Sequence, residues 1–133
     1  MRSLLQNCLM SLFGVLIGEP NVGVVFDVWN LWDSAGVREQ LQTHVDRIVA
    51  VQVCDWREPT RAYYDRVLPG DGVADVGGLF SALKDAGYDR WLDLEILSRH
   101  PATGHSFPDS LCHRDPLELG TDGLRKTRDL WGD

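Results

Sequence analysis

Cysteine is scarce, positive charge is outnumbered, and no apolar run is long enough to cross a bilayer. Only Cys8, Cys54 and Cys112 occur in 133 residues. Their odd number, wide spacing and lack of any CxxC or Cys/His pattern argue against a disulfide framework or a zinc finger. A reduced, cytoplasmic chain is the expectation. Thirteen Lys and Arg face twenty Asp and Glu, and the net charge of −7 disfavours a nucleic-acid backbone or an anionic membrane as the main partner. The apolar stretch from Cys8 to Ile17 is too short to span a bilayer. Met1-Arg2 gives it the outline of a signal peptide, but Gln6 and Asn7 precede the run and no small-x-small cleavage site comes after it. Residues 1–19 therefore predict an N-terminal helix, over 3–17, weakened by Gly14 and Gly18. No repeat, linker or low-complexity segment interrupts the remainder of the chain.

What is present is the pattern of an α/β domain. Hydrophobic residues make up 44% and charged residues 25%, as in a soluble globular protein. The length suffices for one core, and is short for a closed (β/α)₈ barrel of about 250 residues. Three apolar runs predict strands at 22–26, 48–54 and 91–96, the second of them dense in β-branched residues and read as buried on both faces. Between them lie helical spacings. Val37, Leu41 and Val45 share one side of a helix over 36–47, and Val76, Leu79, Phe80 and Leu83 share one side of a second, which Gly87 ends. A last helix runs from Pro116 to Trp131, with Gly120 and Gly123 as candidate interruptions. Strand, crossover helix, strand implies a parallel sheet in sequential order.

Carboxylates stand where these strands end: Asp27 after the first, Asp55 just past the second, Glu95 near the end of the third. In parallel α/β sheets ligands bind at the carboxyl ends of strands. Hard oxygen donors converging there suit Mg²⁺ or Mn²⁺, and an added imidazole would suit Zn²⁺ or Co²⁺. Arg66, before the Pro69-Gly70 turn, offers a planar fork to a hydroxyl or phosphate. Two acids and an arginine alone are a weak signal, since a strand-end carboxylate is as often simply solvated. Trp29, Trp32 and Trp56 fall at the same ends, as a sugar-stacking wall or as rim packing. His44 reads as an ordinary helix residue, and His100, His105 and His113 as loop histidines.

The order of these pieces resembles one family. Val22 to Asn30 is similar to the strand ending in Asp-x-x-His of the sugar phosphate isomerase/epimerase family, the xylose isomerase-like TIM barrels. Arg66-x-x-Pro69-Gly70-x-Gly72 resembles the loop after that family's next strand. Gly87-Tyr88-Asp89 leading into Leu94-Glu95-Ile96 resembles its last strand, which closes on a metal-binding Glu. The resemblance covers residues 20 to 131 and only the last three βα units of a (β/α)₈ barrel, with residues 20–133 as the partial barrel domain.

It implies a divalent metal (Mn²⁺, Mg²⁺, Co²⁺ or Zn²⁺) held by Asp27 and Glu95, with Glu95 also an acid/base carboxylate and Arg66 touching substrate. Gln52 stands where many members carry a metal-binding His, and Asn30 where many carry a substrate-contacting one. The implied reaction is proton-transfer isomerisation or epimerisation of a small sugar or sugar phosphate. A sugar-ring dehydratase on the same scaffold would use the same acids. Because the first five strands of the family have no counterpart here, the expectation is a fragment. Val25, Val51 and Leu94 are then expected to face the barrel interior without their opposite neighbours. Its partner is a missing N-terminal barrel half or a second copy. The rival is a non-catalytic half-barrel that packs on another protein.

Overall fold

The computed structural model describes residues 21–133, so the helix expected over 3–17 lies outside the described residues. The strands are β1 (Val24–Asp27), β2 (Ile48–Val53), β3 (Asp55–Trp56), β4 (Arg66–Val67) and β5 (Trp91–Leu94). The helices are α1 (Val28–Leu31), α2 (Val37–Thr43), α3 (Val76–Asp85) and α4 (Pro116–Trp131). β1, β2 and β5 form one parallel sheet in sequential order. β3 and β4 make a separate antiparallel pair.

All three parallel strands lie where the apolar runs predict them, with ends shifted by one or two residues. β1 keeps Asp27 inside the strand, because the Asp27 carboxylate immediately accepts a bond from Trp29 N (2.9 Å) and starts α1. That N-cap satisfies a helix-end donor otherwise left open. The helix expected over 36–47 stops at Thr43. His44 leaves helical geometry, and Val45–Arg47 form a 3₁₀ turn that delivers the chain into β2. α3 begins at Asp75, whose carboxylate caps Gly78 N at 3.0 Å.

α4 runs unbroken through both glycines. Asp115 caps Leu117 N and Glu118 N, and Pro116 comes next, at a first-turn position where its missing N–H costs nothing. Gly123 has a positive reason to be there. A Cβ at that position would overlap Leu94 Cδ2 and lie 3.3 Å from Leu68 Cδ2. The glycine lets the helix approach the sheet closely.

Register and alternation sort the side chains onto two faces. Phe26 pairs with Val51 and Val51 with Leu92, and this face meets the helices. Phe26, Val51 and Val53 are fully buried there with Val76, Leu79, Phe80 and Leu83. The opposite face carries Val25, Ala50 and Trp91 in one row and Asp27, Gln52 and Asp93 in the next. Val25 is 47% and Trp91 77% exposed. Among the described residues the sheet is therefore covered on one side and open on the side that would line a barrel. Among the described residues no helix is long and apolar enough to cross a membrane.

Candidate active site

Asp27, Gln52 and Glu95 come to one end and one face of the sheet. Asp27 is paired in register with Gln52. Gln52 is paired with Asp93, and Glu95 lies two residues further along the same face, its N–H bonded to Val53 O at 2.9 Å. Asp93 is a carboxylate of this row that the sequence alone did not single out. Alternation from Glu95 back by two would have found it.

Arg66 is the centre of the cluster. It is 7% exposed and forms an ion pair with Glu95 through Nη1. Its Nε donates to Tyr63 O at 3.3 Å, the same Nη1 lies 3.7 Å from Cys54 Sγ, and the guanidinium carbon sits 5.0 Å over the Trp29 ring. A guanidinium suits this place because it can stack, pair and donate at once, whereas an ammonium is a point charge. The β3–β4 pair sets it there. Arg66 is held opposite Trp56, and its own N–H reaches Leu97 O at 3.2 Å.

The electrostatics record how close these groups are. Asp27 is held above the usual carboxylate range, first by burial and also by the negative Glu95. The Trp29 N–H, the Arg66 charge and Asn30 pull it back. Asn30 donates its side-chain amide to Asp27 Oδ2, so the residue expected to face substrate also orients a candidate metal ligand. Burial pushes the Cys54 thiol up to about 12, against the pull of Arg66. At neutral pH it is a protonated core residue and no nucleophile.

Asp55 is not an acid of this site. It is fully buried and accepts four backbone N–H bonds, from Trp56 (2.8 Å), Gly70 (3.1 Å), Gly72 (2.9 Å) and Ala74 (2.9 Å). A carboxylate with that many donors is a loop anchor. It folds residues 68–74 around itself, and Gly72 is required because a Cβ would overlap the Trp56 carbonyl and the Asp55 carboxylate. The tryptophans pack edge to face on each other. Trp29 and Trp32 lie 5.0 and 5.2 Å from Trp56, itself 5% exposed. They form a rim of the core.

The loop histidines serve local structure. His100 Nδ1 accepts from Ala102 and Thr103 N–H, His105 meets the Tyr64 hydroxyl at 3.0 Å, and His113 lies 3.2 Å from Ser106 Oγ. Among the described residues no three His, Cys, Asp or Glu side chains are grouped to hold a metal. The donor set at the strand ends is oxygen only: the Asp27 and Glu95 carboxylates and the Gln52 amide, with the Asp93 carboxylate in the same row. It fits part of the six-oxygen shell of a hard cation, and lacks the imidazole that a softer ion would prefer.

Three comparisons set the chain beside known proteins. A family model described as xylose isomerase-like TIM barrel matches residues 15–120. A search of curated protein sequences gave no match. Among solved structures, the crystal structure of protein SMc04130 from Sinorhizobium meliloti 1021 is similar with a TM-score of 0.74 and 27% identity, covering 91% of this chain and 41% of that one. A xylose isomerase domain protein from Alicyclobacillus acidocaldarius subsp. acidocaldarius is similar at TM-score 0.64 and 25% identity, over 92% and 42%. The IolI protein, solved with a zinc atom bound, shares the fold at TM-score 0.66 and 21% identity, over 88% and 40%. The chain thus spans about two fifths of each solved structure.

Proposed function

The chain belongs to the xylose isomerase-like TIM barrel family, and on that premise we propose that it carries one side of the active site of a divalent-metal-dependent sugar isomerase or epimerase. The observation that carries the reading is the convergence of Asp27, Gln52 and Glu95 on one face and one end of three parallel strands, with Arg66 paired to Glu95. In this reading Asp27, Glu95 and the Gln52 amide oxygen are the metal donors. Glu95 also moves the substrate proton, and Arg66 and Asn30 contact the sugar.

The division of labour comes from the environments. Burial makes the ionised Asp27 costly, so a cation beside it recovers that cost. Glu95 is 41% exposed at its side chain while Arg66 is buried. The carboxylate is therefore presented to the open side from a fixed base, where a substrate could bring a carbon-bound proton within its reach, as general acid–base work requires. Arg66 has planar donors to give a sugar hydroxyl or phosphate as well as Glu95. When bound, the metal would polarise the substrate carbonyl and stabilise the developing enediolate charge. An all-oxygen set favours Mg²⁺ or Mn²⁺ over Zn²⁺ or Co²⁺. In this reading the other residues of the site lie outside this chain, and sugar turnover belongs to a barrel completed by five further βα units.

The rival reading, a non-catalytic half-barrel packing on a partner, draws on a different observation. Both oxygens of Asp27 and one of Glu95 are already engaged by Trp29, Asn30 and Arg66. Titration calorimetry with MnCl₂ separates the two. The proposal expects weak binding, on the order of 10⁻⁴ M, that disappears in Asp27→Ala and in Glu95→Gln. No heat from the folded chain sinks the metal-site reading and leaves the half-barrel.

A further inference from the structure

Two loops border the Arg66–Glu95 pair, and neither has regular structure of its own across most of its length. One runs from Arg57 to Asp65, between β3 and β4, and the other from Ser98 to Arg114, after β5. Several contacts join them, and one side chain, Arg61, makes the densest link. Arg61 donates Nε and Nη2 to the two oxygens of Asp65, at 2.5 and 2.9 Å, and Nη1 to Asp109 Oδ1 at 2.9 Å. Its guanidinium carbon also sits 4.3 Å over the Phe107 ring. One planar group thus makes a bidentate pair with its own loop, a third bond to the other loop, and a stacking contact. Lysine could not reproduce that combination.

The connection is directional. Asp65 is 3% exposed and is the chain neighbour of Arg66. With Asp65 fixed on Arg61, the next residue turns its side chain the other way, towards Glu95. The far anchor is rigid too. Phe107 N donates to Ser110 Oγ and Ser110 N to Phe107 O, with Ser110 buried, so Asp109 sits inside a closed turn. Supporting contacts run beside the bridge: Tyr64 stacks on Phe107 (6.1 Å, 14°), its hydroxyl reaches His105, and Arg57 gives Asp109 a second, longer contact at 3.4 Å. Asp109 is held below its ordinary range chiefly by its Arg61 bond.

We propose that Arg61 is a positioning residue, whose bridge between Asp65 and Asp109 locks the two loops into one rim and holds Arg66 against Glu95. The consequence for catalysis rests on the reading of Arg66 as a substrate contact. The positional claim stands on the ion pairs alone, and its test does not use turnover.

The test monitors the Arg66 Nε–H in ¹⁵N-arginine-labelled chain, with the signal assigned by its loss in Arg66→Lys. In Arg61→Ala its exchange with solvent rises at least about tenfold, the scale on which a local opening reports. Asp109→Asn, which keeps shape and removes the charge, gives a smaller rise in the same direction. Arg61→Lys falls short of full rescue. The control is Arg114→Ala, which breaks a comparable ion pair with Asp122 at the α4 end of the second loop, outside the Arg61 bridge, and leaves the Arg66 signal where it was. Equal protection in wild type and folded Arg61→Ala overturns the proposal, as does an equal rise in Arg114→Ala, which would report general loosening. If Arg61→Ala does not fold, unchanged protection in Asp109→Asn and Arg61→Lys overturns it. Absence of metal binding, by contrast, removes the proposed function and leaves this outcome as it is.

Discussion

The two faces of the β1-β2-β5 sheet have opposite compositions and opposite jobs. The helix side holds Phe26, Val51 and Val53 with no solvent exposure, locked against α3. The open side holds Asp27, Gln52 and Asp93 in one row, with exposed Val25 and Trp91 below. Parallel sheets are ordinarily buried on both faces. Here the stability of the chain comes from one face, and the residues of the proposed site are displayed on the other. Substitutions should divide the same way, with large losses of stability on the helix side and altered binding or association on the open side.

The largest expected effect is Phe80→Ala. Phe80 is 1% exposed and packs edge to face on Trp131 at 5.3 Å. Truncating it removes burial and leaves a cavity, about 3–5 kcal/mol, a large share of what a domain of this size has. Urea denaturation monitored by tryptophan fluorescence should show a folding midpoint near zero denaturant, or none. Retention of most of the wild-type stability would mean that the core lies elsewhere.

Asp55→Ala should rank second. It leaves four backbone N–H groups without their acceptor, one of them closing the Gly70 turn and two more the Gly72–Ala74 bend. Each stranded buried donor costs about 1–3 kcal/mol when water cannot reach it. Loop opening will let water in, so the expected loss is about 2–4 kcal/mol in total, with loss of hydrogen-exchange protection centred on residues 70–74. Asp55→Asn should recover part of it. If Asp55→Ala melts like wild type, this carboxylate is not the loop anchor.

That residue also marks where the sequence stops being readable. The three strands are legible because apolar runs separated by helical spacings and turn signals have few other readings. α4 is legible from Asp115-Pro116. The β3–β4 pair is not, since two-residue strands carry no periodicity. The role of Asp55 is not, since three of its four donors lie fifteen to nineteen residues downstream with no local signature. Reading Val51 and Leu94 as barrel-lining, beside Val25, is an error of parity. Glu95 facing inward forces Leu94 outward, and the structure packs Leu94 on Gly123 and buries Val51 under the helices. For the site, strand-end logic and family resemblance locate Asp27, Gln52 and Glu95. The Arg66–Glu95 pair needs the fold, because a short antiparallel pair brings Arg66 back to the strand ends.

On the open face, Trp91→Ser should change association more than folding. With Val25 and Trp91 exposed beside two strand edges that have no partner among the described residues, the wild-type chain is expected to self-associate at tens of micromolar. Sedimentation velocity should show the variant shifted towards monomer, while its unfolding free energy stays within about 0.5 kcal/mol. A wild-type chain that is monomeric throughout would mean that this face is less adhesive than its composition suggests.

The smallest effect should carry the opposite sign. The Asp27 carboxyl is raised above its ordinary value, with burial the leading cause. The native state therefore binds a proton more tightly than the unfolded chain, and by linkage stability falls as pH rises through the folded-state value. Below the ordinary unfolded carboxylate range both states are protonated and the group's favourable contribution is fully present. At neutral pH it has been lost, because both states are ionised and the native one bears the desolvation. Asp27→Asn keeps an acceptor for Trp29 N and removes the charge, so the variant should be slightly more stable than wild type at pH 7. The difference should close as pH is lowered through the carboxylate range. Paired thermal melts at pH 7 and below the ordinary carboxylate value test this directly. The same substitution should weaken Mn²⁺ binding, so one residue would be costly to the fold and useful to the site, as strained functional positions often are. If Asp27→Asn is less stable than wild type at pH 7, the hydrogen bonds to Trp29 and Asn30 outweigh burial, and the carboxylate is there to cap α1.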